Sequence, residues 1–203
     1  MNTRPAAACA ATLLTTAIVV AGAGPLRSGT IATAAPASTA YAEGAPAGFS
    51  GGFGQASCHG CHFHEAINST PGHVAVTGVP DRFVAGQPYR LIIALERPGM
   101  RLGGFQLTAR FKEGGGQAGA LAPGPGEEAR VSIATDGEIQ YAGHKRPGAV
   151  LTEPDTASWS LTWTAPSALT PVVFHLAANA ADGDETVEGD YVYTTAIEAE
   201  PDR

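Results

Sequence analysis

The sequence predicts an all-β, immunoglobulin-like β-sandwich of about eight strands, on the strength of three observations. Turn-formers are dense, with 26 Gly and 15 Pro in 203 residues. Several short runs alternate apolar and polar side chains, the period of a strand buried on one face. Beyond the first 24 residues, no stretch of useful length carries the 3.6-residue period of an amphipathic helix. A hydrophobic content of 44% is enough for a core, and the length fits one domain or two small ones.

The chain opens with an expected export segment, residues 1–42. Arg4 ends a short basic n-region, and Leu13, Leu14, Ile18, Val19 and Val20 centre an uncharged run from Ala6 to Gly24. Small-residue cleavage sites follow at Ala21-Gly22-Ala23 and Ala40-Tyr41-Ala42, so cleavage is expected ahead of retention as a membrane anchor. Cys9 precedes the apolar run, the wrong order for a lipidated cysteine. No second long apolar segment occurs, and no C-terminal anchor is expected. Residues 43–57, rich in Gly, Ala and Ser, read as a linker, and the domain itself is expected over residues 58–200.

Within the domain, His73 to Val79 alternates, and Tyr89, Leu91, Ile93 and Leu95 share one face of the next run. Phe105, Leu107 and Ala109 share another, inside Gly104 to Lys112. Weaker runs cover Arg130 to Thr135 and Glu138 to His144. Trp159, Leu161 and Trp163 alternate with Ser160, Thr162 and Thr164, the clearest half-buried strand, with both indoles on the core face. Pro171 to Ala178 and Tyr191 to Ala199 complete the set.

The balance of charge narrows the partners. Twelve Lys+Arg against 19 Asp+Glu do not suit nucleic acid, which needs clustered cations. Cleavage after Ala42 would remove Arg4 and Arg27 and no acid, making the mature domain more acidic still. Three Cys, one of them in the leader, cannot form a disulfide scaffold.

Residues 57–64 read Ser-Cys-His-Gly-Cys-His-Phe-His. Cys58, Cys61 and His62 make a Cys-x-x-Cys-His motif, the attachment signature of c-type haem. Two thiols three positions apart can reach two vinyl groups of one porphyrin, and the following His is held beneath the iron as proximal ligand. Two other readings stand beside it: a Cys58–Cys61 disulfide, or a Zn or Cu site from Cys58, Cys61, His62 and His64. For the sixth position of a haem iron, His144 leads, in a loop position before Lys145-Arg146-Pro147-Gly148. Met100, His59, His64, His73 and His175 are the other candidates, and an open or water-bound iron is the remaining possibility. Asp182, Asp184 and Asp190 lie in an acidic loop that could hold Ca²⁺ or could simply be solvated turn chemistry. The loop lacks the spacing of an EF-hand.

Taken together, these segments resemble the bacterial reeler-like domains of the choice-of-anchor V family. The resemblance runs over residues 44–198. It is carried by Gly44 to Gly51, the Cys58 to His62 cluster, Gly104-Phe105-Gln106-Leu107-Thr108-Ala109 and Tyr141…His144…Pro147-Gly148. Ser158 to Pro166 and Ala178-Asn179-Ala180-Ala181-Asp182-Gly183-Asp184…Gly189 to Tyr193 extend it. It implies a reeler-like β-sandwich on exported proteins, and it makes His144 a recurrent family residue, a distal ligand or haem-pocket side chain. Lys145-Arg146 depart from the small polar residues usual there, and no sorting domain follows.

The expectation is therefore an exported mono-haem c-type cytochrome in the periplasm, at the cell surface or outside it. Its work would be single-electron transfer to a redox partner with a basic surface, rather than substrate turnover. Two alternatives remain: a haem-based gas or redox sensor or small haem enzyme, and a haem-free surface binding module with a Cys58–Cys61 disulfide.

Overall fold

The computed structural model describes Tyr41 and residues 43–202; the expected export segment lies almost wholly outside them. No helix among the described residues is long and apolar enough to cross a membrane. The strands are β1 (His73–Thr77), β2 (Arg82–Phe83), β3 (Pro88–Glu96), β4 (Leu102–Phe111), β5 (Ala120–Pro123), β6 (Val131–Asp136), β7 (Ile139–His144), β8 (Thr156–Thr164), β9 (Val172–Ala181) and β10 (Tyr191–Pro201). They form a four-stranded sheet, β1-β3-β8-β5, and a six-stranded sheet, β2-β10-β9-β4-β7-β6. Every named pairing is antiparallel except β2 with β10.

Two facing layers follow directly from the alternation. β3 and β8 pair with Tyr89 opposite Trp163, Leu91 opposite Leu161 and Ile93 opposite Trp159, which stacks their apolar faces on one side of the sheet. From the other sheet come Phe105, Leu107, Phe174 and Leu176, all buried in the same cluster. Trp159 meets Phe105 with centroids 4.6 Å apart, and Trp163 meets Phe174 edge-on at 4.8 Å. Each buried indole N–H finds a carbonyl, Trp159 at Gly148 (2.8 Å) and Trp163 at Ala118 (2.9 Å), as buried polar groups require.

The all-β sandwich is therefore as expected, with ten strands in place of about eight. The eight expected runs coincide with strands to within a few residues. The two additions are the two-residue β2 and the short β5, which ends at a proline on a sheet edge. Neither is long enough to display a period.

The expected linker, residues 43–57, requires a correction. It crosses the outer face of the six-stranded sheet as a packed strap. Gln106 projects from β4 on the face opposite Phe105 and Leu107, yet is only 2% exposed. Its Oε1 accepts the Phe49 N–H and its Nε2 donates to the Pro46 carbonyl at 2.8 Å. Gln55 donates through Nε2 to the Tyr141 hydroxyl, and Ser50 and Ser57 are buried and bridged to each other. At Gly52 a Cβ would fall 2.2 Å from Cγ of His175, so only glycine lets the strap lie this close. A segment without apolar periodicity is held here by a side-chain amide that serves as both donor and acceptor.

Gln106→Ala is expected to destabilise strap docking by about 1–3 kcal/mol, the penalty of stranding buried backbone groups. Limited proteolysis within residues 43–57 should accelerate accordingly. Equal cleavage rates in the two proteins would show that other contacts hold the strap.

Candidate functional site

Between the strap and the outer face of the six-stranded sheet lies a cleft of about 540 Å³, within the roughly 300–1,000 Å³ typical of cofactor and ligand sites. Its walls include Phe49 from the strap, Leu102 and Phe105 from β4, and Val150 beyond β7. Arg146 is the one Lys or Arg among its described lining residues.

One end of the cleft is built by a single 3-10 turn, Cys58–Gly60. Ser57 caps it, its Oγ accepting the His59 N–H at 3.2 Å. The Cys61 and His62 N–H groups both donate to the Cys58 carbonyl, at 3.1 and 3.0 Å. This tight winding brings Cys58, Cys61 and His62 to the same cleft. Both cysteines are free thiols. Burial, reinforced by the neighbouring Cys61, pushes the Cys58 thiol up to about 12, so it stays S–H at neutral pH.

His62 is oriented from across the chain. Its Nδ1 lies 2.6 Å from Oδ2 of Asp190, a carboxylate only 2% exposed just before β10. Asn179 of β9 places its Nδ2 3.2 Å from His62 Nδ1 and 3.5 Å from the same carboxylate oxygen. With Nδ1 committed to the carboxylate, Nε2 is the ring nitrogen left for a metal.

His144, at the end of β7, also lines the cleft. Its Nδ1 faces the Phe105 backbone, 3.1 Å from N and 3.4 Å from O. Its ring fills the space beside Gly104, where a Cβ would fall 2.6 Å from Cε1. Burial lowers its pKa most, the Phe105 contact works in the opposite direction, and the nearby His62 ring adds to the lowering. The imidazole is therefore neutral, the form that ligates metals, and the two histidines are near enough to interact electrostatically.

The other sequence candidates lie elsewhere. Met100 is in the core and does not line the cleft. His73 opens β1. His59 contacts the Glu65 carbonyl through Nε2 at 3.0 Å, and the exposed His64 sits 3.9 Å from Glu65. His175 lies edge-on to Phe53 under the strap, at 5.2 Å. In the acidic loop, Asp182 accepts the Asp184 N–H at 3.1 Å, and Asp184 accepts the Thr186 N–H at 2.8 Å. These are turn contacts, while Asp190 turns inward to His62, so the three aspartates are not brought together. Among the described residues, no three His, Cys, Asp or Glu side chains converge on a metal position.

The donor set fits a porphyrin better than a bare ion. Two free thiols on one turn can anchor side groups, two imidazoles offer uncommitted Nε2 atoms, and the walls between them are largely apolar. Asp190 stood in the sequence as a candidate calcium ligand, and Asn179, Gly104 and part of the strap only in the family resemblance, so none was legible as a component of this cleft. The Gly103-Gly104 doublet inside a strand was the one available signal, since glycine there marks close approach by another group.

Among solved structures the chain is similar to the human F-spondin reeler domain, at 19% identity and TM-score 0.43, covering 66% of this chain and 93% of that one. The Reelin-N domain of F-spondin gives 19% identity and TM-score 0.44 over 68% and 91% of the two chains. A cohesin module from a Clostridium perfringens family 33 glycoside hydrolase gives 11% identity and TM-score 0.47 over 66% and 98%. No family model and no curated protein matches the chain.

Proposed function

We propose that this chain is an exported mono-haem c-type cytochrome on a reeler-like sandwich of the choice-of-anchor V type, carrying single electrons between protein partners. One observation carries the reading: Cys58, Cys61 and His62 share a single apolar cleft with His144, which reaches it from a different part of the chain. A bound haem would supply a one-electron iron(III)/iron(II) couple, receiving an electron from a reduced protein and yielding it to an oxidised one.

The residues take distinct parts. The thiols of Cys58 and Cys61 would hold the porphyrin covalently through its two vinyl side groups. His62 and His144 would hold the iron through their Nε2 atoms. Phe49, Leu102 and Val150 would exclude water from the slot. Arg146, the cation of the cleft, would neutralise a carboxylate side group. The excess of 19 acids over 12 cations would steer a basic redox partner.

The test is a reduced pyridine haemochrome spectrum of protein exported from a host with c-type haem maturation. A c-type α-band, with haem remaining on the chain through a denaturing gel, is the expected result. A haem-free chain from that host would overturn the reading and leave a binding module with structural cysteines.

A further inference from the structure

We infer that Asp190 is a positioning residue that sets the reduction potential of the site, by fixing His62 as its Nδ1–H tautomer and enriching Nε2 in electron density. The inference rests on the haem reading above. Its basis is a carboxylate placed where a carboxylate is costly. Asp190 is 2% exposed, and its Oδ1 is buried without a hydrogen-bond partner. No Lys or Arg forms an ion pair with it among the described residues; the 2.6 Å contact to His62 is its one ion-pair contact.

A buried anion answered by a single imidazole polarises that imidazole strongly, because the low local dielectric leaves the charge unscreened. The hydrogen bond runs from Nδ1–H to Oδ2, so it raises the basicity of the opposite ring nitrogen. A more electron-rich axial nitrogen favours iron(III) over iron(II), which lowers the potential of the couple. The couple takes up one electron and makes or breaks no bond. The Asn179 amide lies beside both groups, 3.2 Å from His62 Nδ1 and 3.5 Å from Oδ2, and carries no charge to offset the carboxylate. Of the three aspartates in the acidic loop only Asp190 lines the cleft, and it does so as a hydrogen-bond acceptor for His62.

A purely structural Asp190, one that only ties the turn carrying His62 to the sheet, would leave the potential where it is. The experiment compares haem-loaded wild type with Asp190→Asn, which keeps the shape and an acceptor oxygen but removes the charge. The iron(III)/iron(II) equilibrium is expected to shift at least tenfold toward iron(II), a rise of about 59 mV for a one-electron couple. Asp184→Asn removes the same charge from the exposed part of the loop and should shift it less than twofold. A second measurement needs no variant and no haem. Imidazole ¹⁵N NMR of the chain made without maturation should show His62 with its proton on Nδ1.

An unchanged potential in Asp190→Asn, an equal shift in Asp184→Asn, or a proton on Nε2 in the haem-free chain would each overturn the inference. Failure to take up haem at all overturns the cytochrome reading and the redox role with it. The tautomer measurement then still reports separately whether Asp190 orients His62.

Discussion

Trp163→Ala is expected to remove about 3–5 kcal/mol of stability, the usual cost of emptying a buried aromatic site. That is a large part of the ~5–15 kcal/mol that holds a typical domain folded. Trp163 is fully buried and touches three rings: Phe83 edge-on at 5.5 Å, Tyr89 at 5.7 Å and Phe174 edge-on at 4.8 Å. These come from β2, β3 and β9, so one side chain joins both sheets and secures the shortest strand. Truncation also leaves the Ala118 carbonyl without its indole donor. Urea unfolding followed by near-ultraviolet circular dichroism measures the loss. A change below about 1 kcal/mol would mean that the surrounding rings collapse into the space far better than core cavities usually allow.

The second large effect concerns the proposed haem site. His144→Ala in the haem-loaded protein should convert six-coordinate low-spin iron to five-coordinate high-spin iron and open the reduced protein to carbon monoxide. Gly104→Val should do the same from a distance, because its Cβ would fall 2.6 Å from the imidazole Cε1 and the ring must leave. Absorption and electron paramagnetic resonance spectra of the ferric proteins read the outcome. If both variants remain low-spin, another residue occupies the sixth position and His144 is merely a wall of the cleft. Carbon monoxide binding to the unmodified reduced protein would point instead to an open coordination site and a sensor.

Much of the sandwich was legible because a strand buried on one face repeats every two residues. Trp159, Leu161 and Trp163 declare their face without further help, as do Leu91, Ile93 and Leu95. β2 and β5 are too short to carry a period, and β5 contains only Ala, Leu and Pro. The strap was misread for a different reason. Its burial depends on Gln106 and His175, which lie far along the chain, and nothing in its own composition announces them. The motif Cys58 to His62 was legible because its chemistry is local. The Asp190 contact was not, since a carboxylate among neighbouring acids reads as a solvated turn until β9 and β10 turn it inward. His144 stood out through its loop position and the family resemblance, while the glycine that makes room for it did not.

The wide separation between His62 and Asp190, 128 positions, has a consequence for the order of assembly. In any chain delivered N-terminus first, the turn carrying the two thiols emerges before a single strand of either sheet. The carboxylate emerges only after nine of the ten strands, directly ahead of β10, which must follow before the antiparallel β9–β10 pair can form. A group can therefore be joined to an open, unstructured turn, and the sandwich can enclose it afterwards. Were haem attached at this turn, attachment and enclosure would be separate events in time, and the environment of the site would be complete only when the final strand had docked.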